Sequence, residues 1–266
     1  MRRAGLLALA LLGPCLARPA AAQRQADEAR LTIGAGLLHT SGGGRLWSVG
    51  HQPILDGAGI DTLRISRRLT SGLGFSFHGA YFPSTYYGFA GEVLVTRLGT
   101  GDDCRLRSSA ATLYASDLCG SLQNNEASTS TASLSAGVML RPGLRGSIQP
   151  FARAMGGILI AQKSFASTDG FVRTPDSVVA VAAVYRDEDV TTTSPYLSFG
   201  VGFAAAIAPG WQTRVEVRDT WVRLPMITGA TSRQGVQPSL GRKGHHLLSF
   251  VVSVDVVLER KRGRRY

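Results

Sequence analysis

Residues 211–223 read WQTRVEVRDTWVR, and this stretch limits what the chain can fold into more than any other. Side chains on a β-strand alternate between two faces. Trp211, Thr213, Val215, Val217, Asp219 and Trp221 therefore share one side, and Gln212, Arg214, Glu216, Arg218 and Thr220 share the other. The two tryptophans are ten residues apart, about 33 Å along a strand. A tilt of roughly 40° projects that onto about 25 Å, the height of the apolar band of a transmembrane β-barrel between its two aromatic girdles. One face then meets lipid while the other holds opposite charges away from it. Asp219 is the one misplaced residue in this register, tolerable only near the outer interface.

The remaining composition agrees with a strand-built membrane protein. Of 266 residues, 44% are hydrophobic, and the mean hydropathy of +0.06 is too polar for a helical membrane protein. The long apolar run lies at the N-terminus. Arg2 and Arg3 precede a short apolar segment, 6–12, and Ala20, Ala21 and Ala22 supply small residues before Gln23. That is the pattern of a secretory signal peptide over residues 1–22, and the run is too short to span a bilayer as a helix. Pro14 directly before Cys15 does not fit lipoprotein processing.

The signal takes Arg2, Arg3 and Arg18 and no acid with it, so the formal charge falls from +11 to +8. Export turns this basic balance away from nucleic acid and toward anionic lipid or polysaccharide. The last eight residues, 259–266, carry five cations and one anion and read as a solvated basic tail. Cys104 and Cys119 remain after processing, an even pair in an exported chain, and a disulfide is the natural reading. It would close a loop of about 15 residues, worth roughly 3 kcal/mol. Neither cysteine sits in a CxxC pattern or near a histidine, so neither a metal nor any other cofactor is expected.

From Gln23 to residue 258 eight segments alternate in the strand manner: 30–39, 58–69, 73–82, 129–141, 147–162, 195–207, 211–223 and 245–258. Short turns are expected at 70–72, 142–146 and 208–210. Long connections are expected at 40–57 (Gly-rich), 83–128, 163–193 (polar) and 224–243. The connections run long, short, long, short, long, short, long. With both termini on one side, every short turn joins the termini and every long loop lies opposite, the asymmetry of a bacterial outer-membrane barrel. The fold class is therefore all-β, an eight-stranded antiparallel up-and-down transmembrane β-barrel over residues 23–258, with four long extracellular loops. A soluble ligand-binding barrel would instead place its apolar face inside.

Segments 149–157 (QPFARAMGG) and 194–202 (SPYLSFGVG) resemble the "Pro-aromatic, then small and Gly" strands of small eight-stranded outer-membrane barrels, typified by the transmembrane domain of outer membrane protein A and by outer membrane protein X. Residues 215–221 (VEVRDTW) resemble the strand before the last hairpin of that group. The likeness spans nearly all of the mature chain at the level of pattern. It implies residence in the outer membrane, contact with lipid and lipopolysaccharide, insertion by the outer-membrane assembly machinery, and a monomer whose loops meet an extracellular ligand. These proteins usually end on an aromatic that closes the last strand, whereas here Tyr266 follows the basic tail.

If the polar faces point inward, the lumen collects Arg64, Arg68, His78, Arg141, Arg153, Arg214, Glu216, Arg218 and Asp255. Eight strands leave room only for side chains, so these charges should pair into a plug; an arginine-lined channel is the alternative. Trp211, Trp221 and Tyr81 are expected in the aromatic girdles, and Tyr86, Tyr87 and Phe89 in the outer girdle or as adhesive contacts. His39 and Ser41 have a His-x-Ser spacing suggestive of an outer-membrane lipid A deacylase, but a single such pair at a strand end is a weak signal and that family's pair is expected near the C-terminus. No matching acid is evident beside His245 and His246, and the expectation is no enzyme. Asp102, Asp103 and the run 187–189 are candidate calcium ligands toward lipopolysaccharide, more simply read as solvated loop charges.

Overall fold

The computed structural model describes residues 29–260 apart from 43, 57–58, 109–111, 124, 143–147, 163, 174–178 and 188–190. The expected signal peptide, and all of the basic tail beyond Arg260, lie outside the described residues. In chain order the elements are β1 (Ala29–Thr40), β2 (Arg45–Asp56), β3 (Gly59–Tyr81), β4 (Tyr87–Leu106), α1 (Leu113–Gln123), β5 (Glu126–Leu140), β6 (Ile148–Ala161), β7 (Thr168–Arg173), β8 (Val179–Tyr185), β9 (Thr192–Ala208), β10 (Trp211–Ile227) and β11 (Leu240–Arg260).

Eight strands close into a ring of antiparallel pairs: β1–β3–β4–β5–β6–β9–β10–β11 and back to β1. Closure satisfies the backbone groups that lipid cannot. The connections β3–β4, β5–β6 and β9–β10 are short and share the side of both chain ends, and Gly210 turns the last of them with φ 83°. The four long connections lie opposite. They contain β2, α1, the β7–β8 hairpin, and residues 228–239.

The count of eight wall strands stands, but which segments form them changes between residues 58 and 128. Segments 58–69 and 73–82 are one strand, β3, of 23 residues, and 70–72 is no turn. Instead, β3 carries two residues, Ser71 and Gly72, where β4 has one between Arg97 and Gly99. This β-bulge reverses the facing of the strand: Leu63, Ile65, Arg67 and Leu69 point inward before it, and Ser76, His78 and Ala80 after it. The segment 83–128 conceals a full strand, β4. The Gly-rich segment 40–57 contains β2, and the polar segment 163–193 contains β7 and β8.

The outer wall is apolar along its lower strands, with Leu37, Phe75, Phe77, Val95, Phe199 and Phe250 exposed. Trp211, Trp221 and Tyr81 all face outward, as the girdle requires. Tyr87 and Phe89 join Tyr81 at the short-turn end, because Phe89 lies opposite Tyr81 in the β3–β4 ladder. Tyr86 is in that short turn. These residues are therefore neither outer girdle nor loop-tip adhesive contacts.

Above the lipid-facing band the strands continue, and the long connections fold over the mouth around one apolar core. Leu46 and Trp47 of β2, Leu63 and Ile65 of β3, Leu118 and Leu122 of α1, and Phe165, Tyr185 and Leu224 are all buried there. α1 is fastened by the Cys104–Cys119 disulfide, whose Cα atoms are 5.3 Å apart, a normal span for such a bond. Thr112 caps the helix by accepting from the Ala115 amide. The Thr112 amide and hydroxyl in turn donate to Asp61 of β3, which places an anion at the positive end of the helix.

Candidate functional site

The inward face of β10 sets the chemistry of the lumen, because Gln212, Arg214, Glu216 and Arg218 alternate with lipid-facing neighbours. β4 and β6 add Glu92 and Arg153 at the same level. Arg153 donates to Glu92 at 2.8 Å and to Glu216 at 2.7 Å. Arg218 donates twice to Glu92, at 2.6 and 3.0 Å, and once to Glu216 at 3.1 Å. Two cations and two anions thus form a closed four-membered network, and all four side chains are at most 5% exposed.

A second group sits beside it. Asp255 of β11 accepts from Gln212 at 2.9 Å, lies 2.8 Å from the His78 ring, and has Arg214 at 3.9 Å. Arg214 also stacks on Phe151, and Arg141 covers the Phe82 ring at 3.3 Å near the short turns. Glycines on facing strands make room for the carboxylates. A Cβ on Gly200 would stand 2.1 Å from Glu216 Oε1, and one on Gly34 would stand 2.2 Å from Asp255 Oδ1.

Seven of the nine expected lumen residues, His78, Arg141, Arg153, Arg214, Glu216, Arg218 and Asp255, are therefore inside. Arg64 and Arg68 are not. They lie before the bulge, where the inward positions hold apolar side chains of the cap, and they face water on the outer wall. Glu92, the acid that both network arginines share, is not among the expected lumen residues, because residues 92–98 read as a strand extension above the membrane and not as part of a wall strand. The alternation Phe89, Gly91, Val93, Val95 against Ala90, Glu92, Leu94, Thr96 was the available signal. Arg67 and Asp102 were missed as partners for the same reason.

Higher up, Arg67 makes a two-pronged contact with Asp102 at 2.6 and 2.7 Å, lies over Trp47, and donates to the carbonyls of Phe165 and Ser167. Asp102 is consequently an ion-pair partner and not a free calcium ligand. Asp187 accepts from Ser164, while residues 188 and 189 lie outside the described residues. The Tyr185 hydroxyl and the Thr231 amide both donate to Gln52 Oε1, at 2.5 and 2.9 Å, tying three long connections together. Between the four-membered network and this cap lies a mostly apolar cavity of about 40 Å³, bounded by Leu38, Leu98, Leu159, Thr96, Tyr196 and Arg218 among others. It has room for a few water molecules.

On the outer wall, Asp219 is 2.9 Å from His246 Nδ1, which explains how an acid is held on the lipid-facing side of β10. This is the acid that sequence reading did not place beside the histidines. Ser41, however, directs its hydroxyl to the Leu248 carbonyl at 3.0 Å and not to an imidazole. No group of three or more metal-ligating side chains occurs among the described residues.

A closed ring with ion pairs inside and a continuous apolar belt outside has one solvent that suits it. The chain is a closed eight-stranded transmembrane β-barrel. No family model matches its sequence, and no curated protein is similar to it. Among solved structures the barrel is similar to outer membrane protein OprG from Pseudomonas aeruginosa, at 11% identity over 88% of this chain and 97% of that one, with a TM-score of 0.47. It is also similar to Neisserial surface protein A, at 12% identity over 86% and 97%, with a TM-score of 0.42. Outer membrane protein AlkL matches at 13% identity over 90% and 94%, with a TM-score of 0.36. Such values describe a shared outline, and the assignment of the barrel rests on its own closure and apolar belt.

Proposed function

We propose that this barrel is a structural or surface-interaction protein of the outer membrane, exported by its N-terminal signal, whose lumen is a plug and not a solute pathway. The observation that carries this reading is the four-membered network of Arg153, Glu92, Arg218 and Glu216, which joins β4, β6 and β10 through the middle of the lumen. Opening a path would separate buried charges, which costs about 3–5 kcal/mol for each broken pair. The apolar core of the cap lies above it as a second closure. The folded cap is then the surface offered to an extracellular ligand, the outer wall contacts lipid and lipopolysaccharide, and the barrel works as a monomer without enzymatic activity.

Planar-bilayer recording tests the plug. The wild-type barrel should give no stable conductance above the bare bilayer, while Glu92→Ala combined with Glu216→Ala should raise the frequency of opening events. Steady ion-selective conductance by the wild type would overturn the plug in favour of a narrow channel.

A further inference from the structure

The bulge that reverses β3 also shapes the outer wall. Beside it lies an open groove of about 570 Å³, bounded by His39, Ser71, Leu73, Arg97, Glu126 and Ser128. Its floor is low because Gly72 and Gly99 carry no side chains. One guanidinium group, Arg97, borders it, and a second, Arg68, stands above it on β3. Arg97, exposed on the wall, donates from Nε to Ser128 Oγ at 2.7 Å, and this contact uses neither terminal nitrogen. Arg68 lies over Gly101, with its Nε 3.5 Å from where a Cβ would be. No ion pair among the described residues engages either arginine.

The height of the groove decides what reaches it. Below it, the outward residues are Leu73, Phe75 and Phe77 on β3, Val95 and Val93 on β4, and Leu134 and Val138 on β5. Above it, β3 carries Arg68 and Arg64, and β4 carries Asp103 and Arg105. On three neighbouring strands the apolar belt therefore stops at the groove. A lipid whose chains lie against Leu73 and Val95 brings its headgroup level with Arg97. A guanidinium fork with no ion-pair partner at that height suits phosphate oxygens, and a depression this broad admits a sugar as well as a phosphate.

We propose that the groove is a lateral binding site for the phosphorylated saccharide headgroup of an outer-leaflet glycolipid. The site depends on the transmembrane reading but not on the plug, since it lies outside the wall. Arg97 binds the phosphate in the groove, Arg68 adds positive charge on the wall above it, Ser71 and Ser128 face the sugar, and Glu126 marks the edge that a second anionic group would avoid.

The test uses the full-length mature barrel in nanodiscs, probed with bis-phosphorylated lipid A and with the same lipid dephosphorylated. Arg68→Ala combined with Arg97→Ala removes the cations, and Ala127→Trp fills the groove from an exposed position while keeping them. Wild type should retain the phosphorylated lipid at least about tenfold better than the dephosphorylated one, and both variants should lose that preference. Equal retention of the two lipids, or an undiminished preference in the double variant, overturns the site. Undiminished preference in Ala127→Trp shows that the cations act without the groove and overturns it as stated. Heat-modifiable gel mobility is read in parallel: a wild-type chain that does not fold and insert removes the transmembrane reading and the site with it.

Discussion

Arg153 of β6 and Glu92 of β4 meet at 2.8 Å although their strands are not hydrogen-bonded neighbours; β5 runs between them. Contact across the lumen is what makes the interior a solid. Glu92→Gln keeps the shape and removes the charge, leaving Arg153 and Arg218 to share Glu216 alone. The folded state should lose about 3–5 kcal/mol, measured by denaturant unfolding in lipid vesicles. A midpoint equal to wild type would mean that the network contributes nothing to the fold.

Gly200 owes its presence to Glu216. Alanine there would press a methyl group onto the carboxylate at 2.1 Å, and the displaced network should cost about 1–3 kcal/mol. Gly156→Ala is the control, because its Cβ would meet nothing nearer than Leu197 at 3.5 Å. Similar unfolding of the two variants would show that the interior yields more easily than its packing implies.

The disulfide acts on the cap and not on the wall. Replacing Cys104 and Cys119 together by alanine should cost up to about 3 kcal/mol, expressed as faster proteolysis around α1, with the heat-modifiable band retained. Loss of that band would show that the barrel needs the cap in order to fold.

Asp61 gives the cap an acid sensitivity. The Thr112 hydroxyl and amide hold its carboxyl below its ordinary value. A depressed folded value contributes stability that is fully present above the unfolded value of about 3.9 and is lost as pH falls through the lower folded one. Asp61→Asn should therefore loosen α1 relative to wild type at about pH 6, and the difference should vanish in stronger acid. A difference that persists unchanged at the lowest pH would rule out the carboxylate as its source.

His246 and Asp219 form an outward pair that resembles half of a hydrolytic site. With the Ser41 hydroxyl turned to a carbonyl, replacing His39, Ser41 or His246 by alanine should leave the acylation pattern of lipid A unchanged in cells, as read by mass spectrometry. A changed pattern in the Ser41 variant would reinstate the enzyme.

Alternation with a period of two is a local property, so the sequence alone determined the all-β class, the count of eight wall strands, the course of β1, β5, β6, β9, β10 and β11, the lipid-facing side of β10, and seven of the lumen residues. Arg153, Glu216 and Asp255 could be placed inside because their strands continue through the bilayer without interruption. Arg64 and Arg68 could not, because one extra residue at Ser71–Gly72 reverses every side chain before it, and a bulge is written in the mismatch between two strands and not in either one. Glu92 was hidden for a different reason: Gly99, Gly101, Asp102 and Asp103 look like a turn, yet β4 runs straight through them, so its alternation merged with a loop. The cap is the largest feature that only tertiary structure decided. Residues 45–55, 164–173 and 180–187 are unremarkable as isolated segments, and each buries apolar side chains only because the other connections fold over the same barrel mouth.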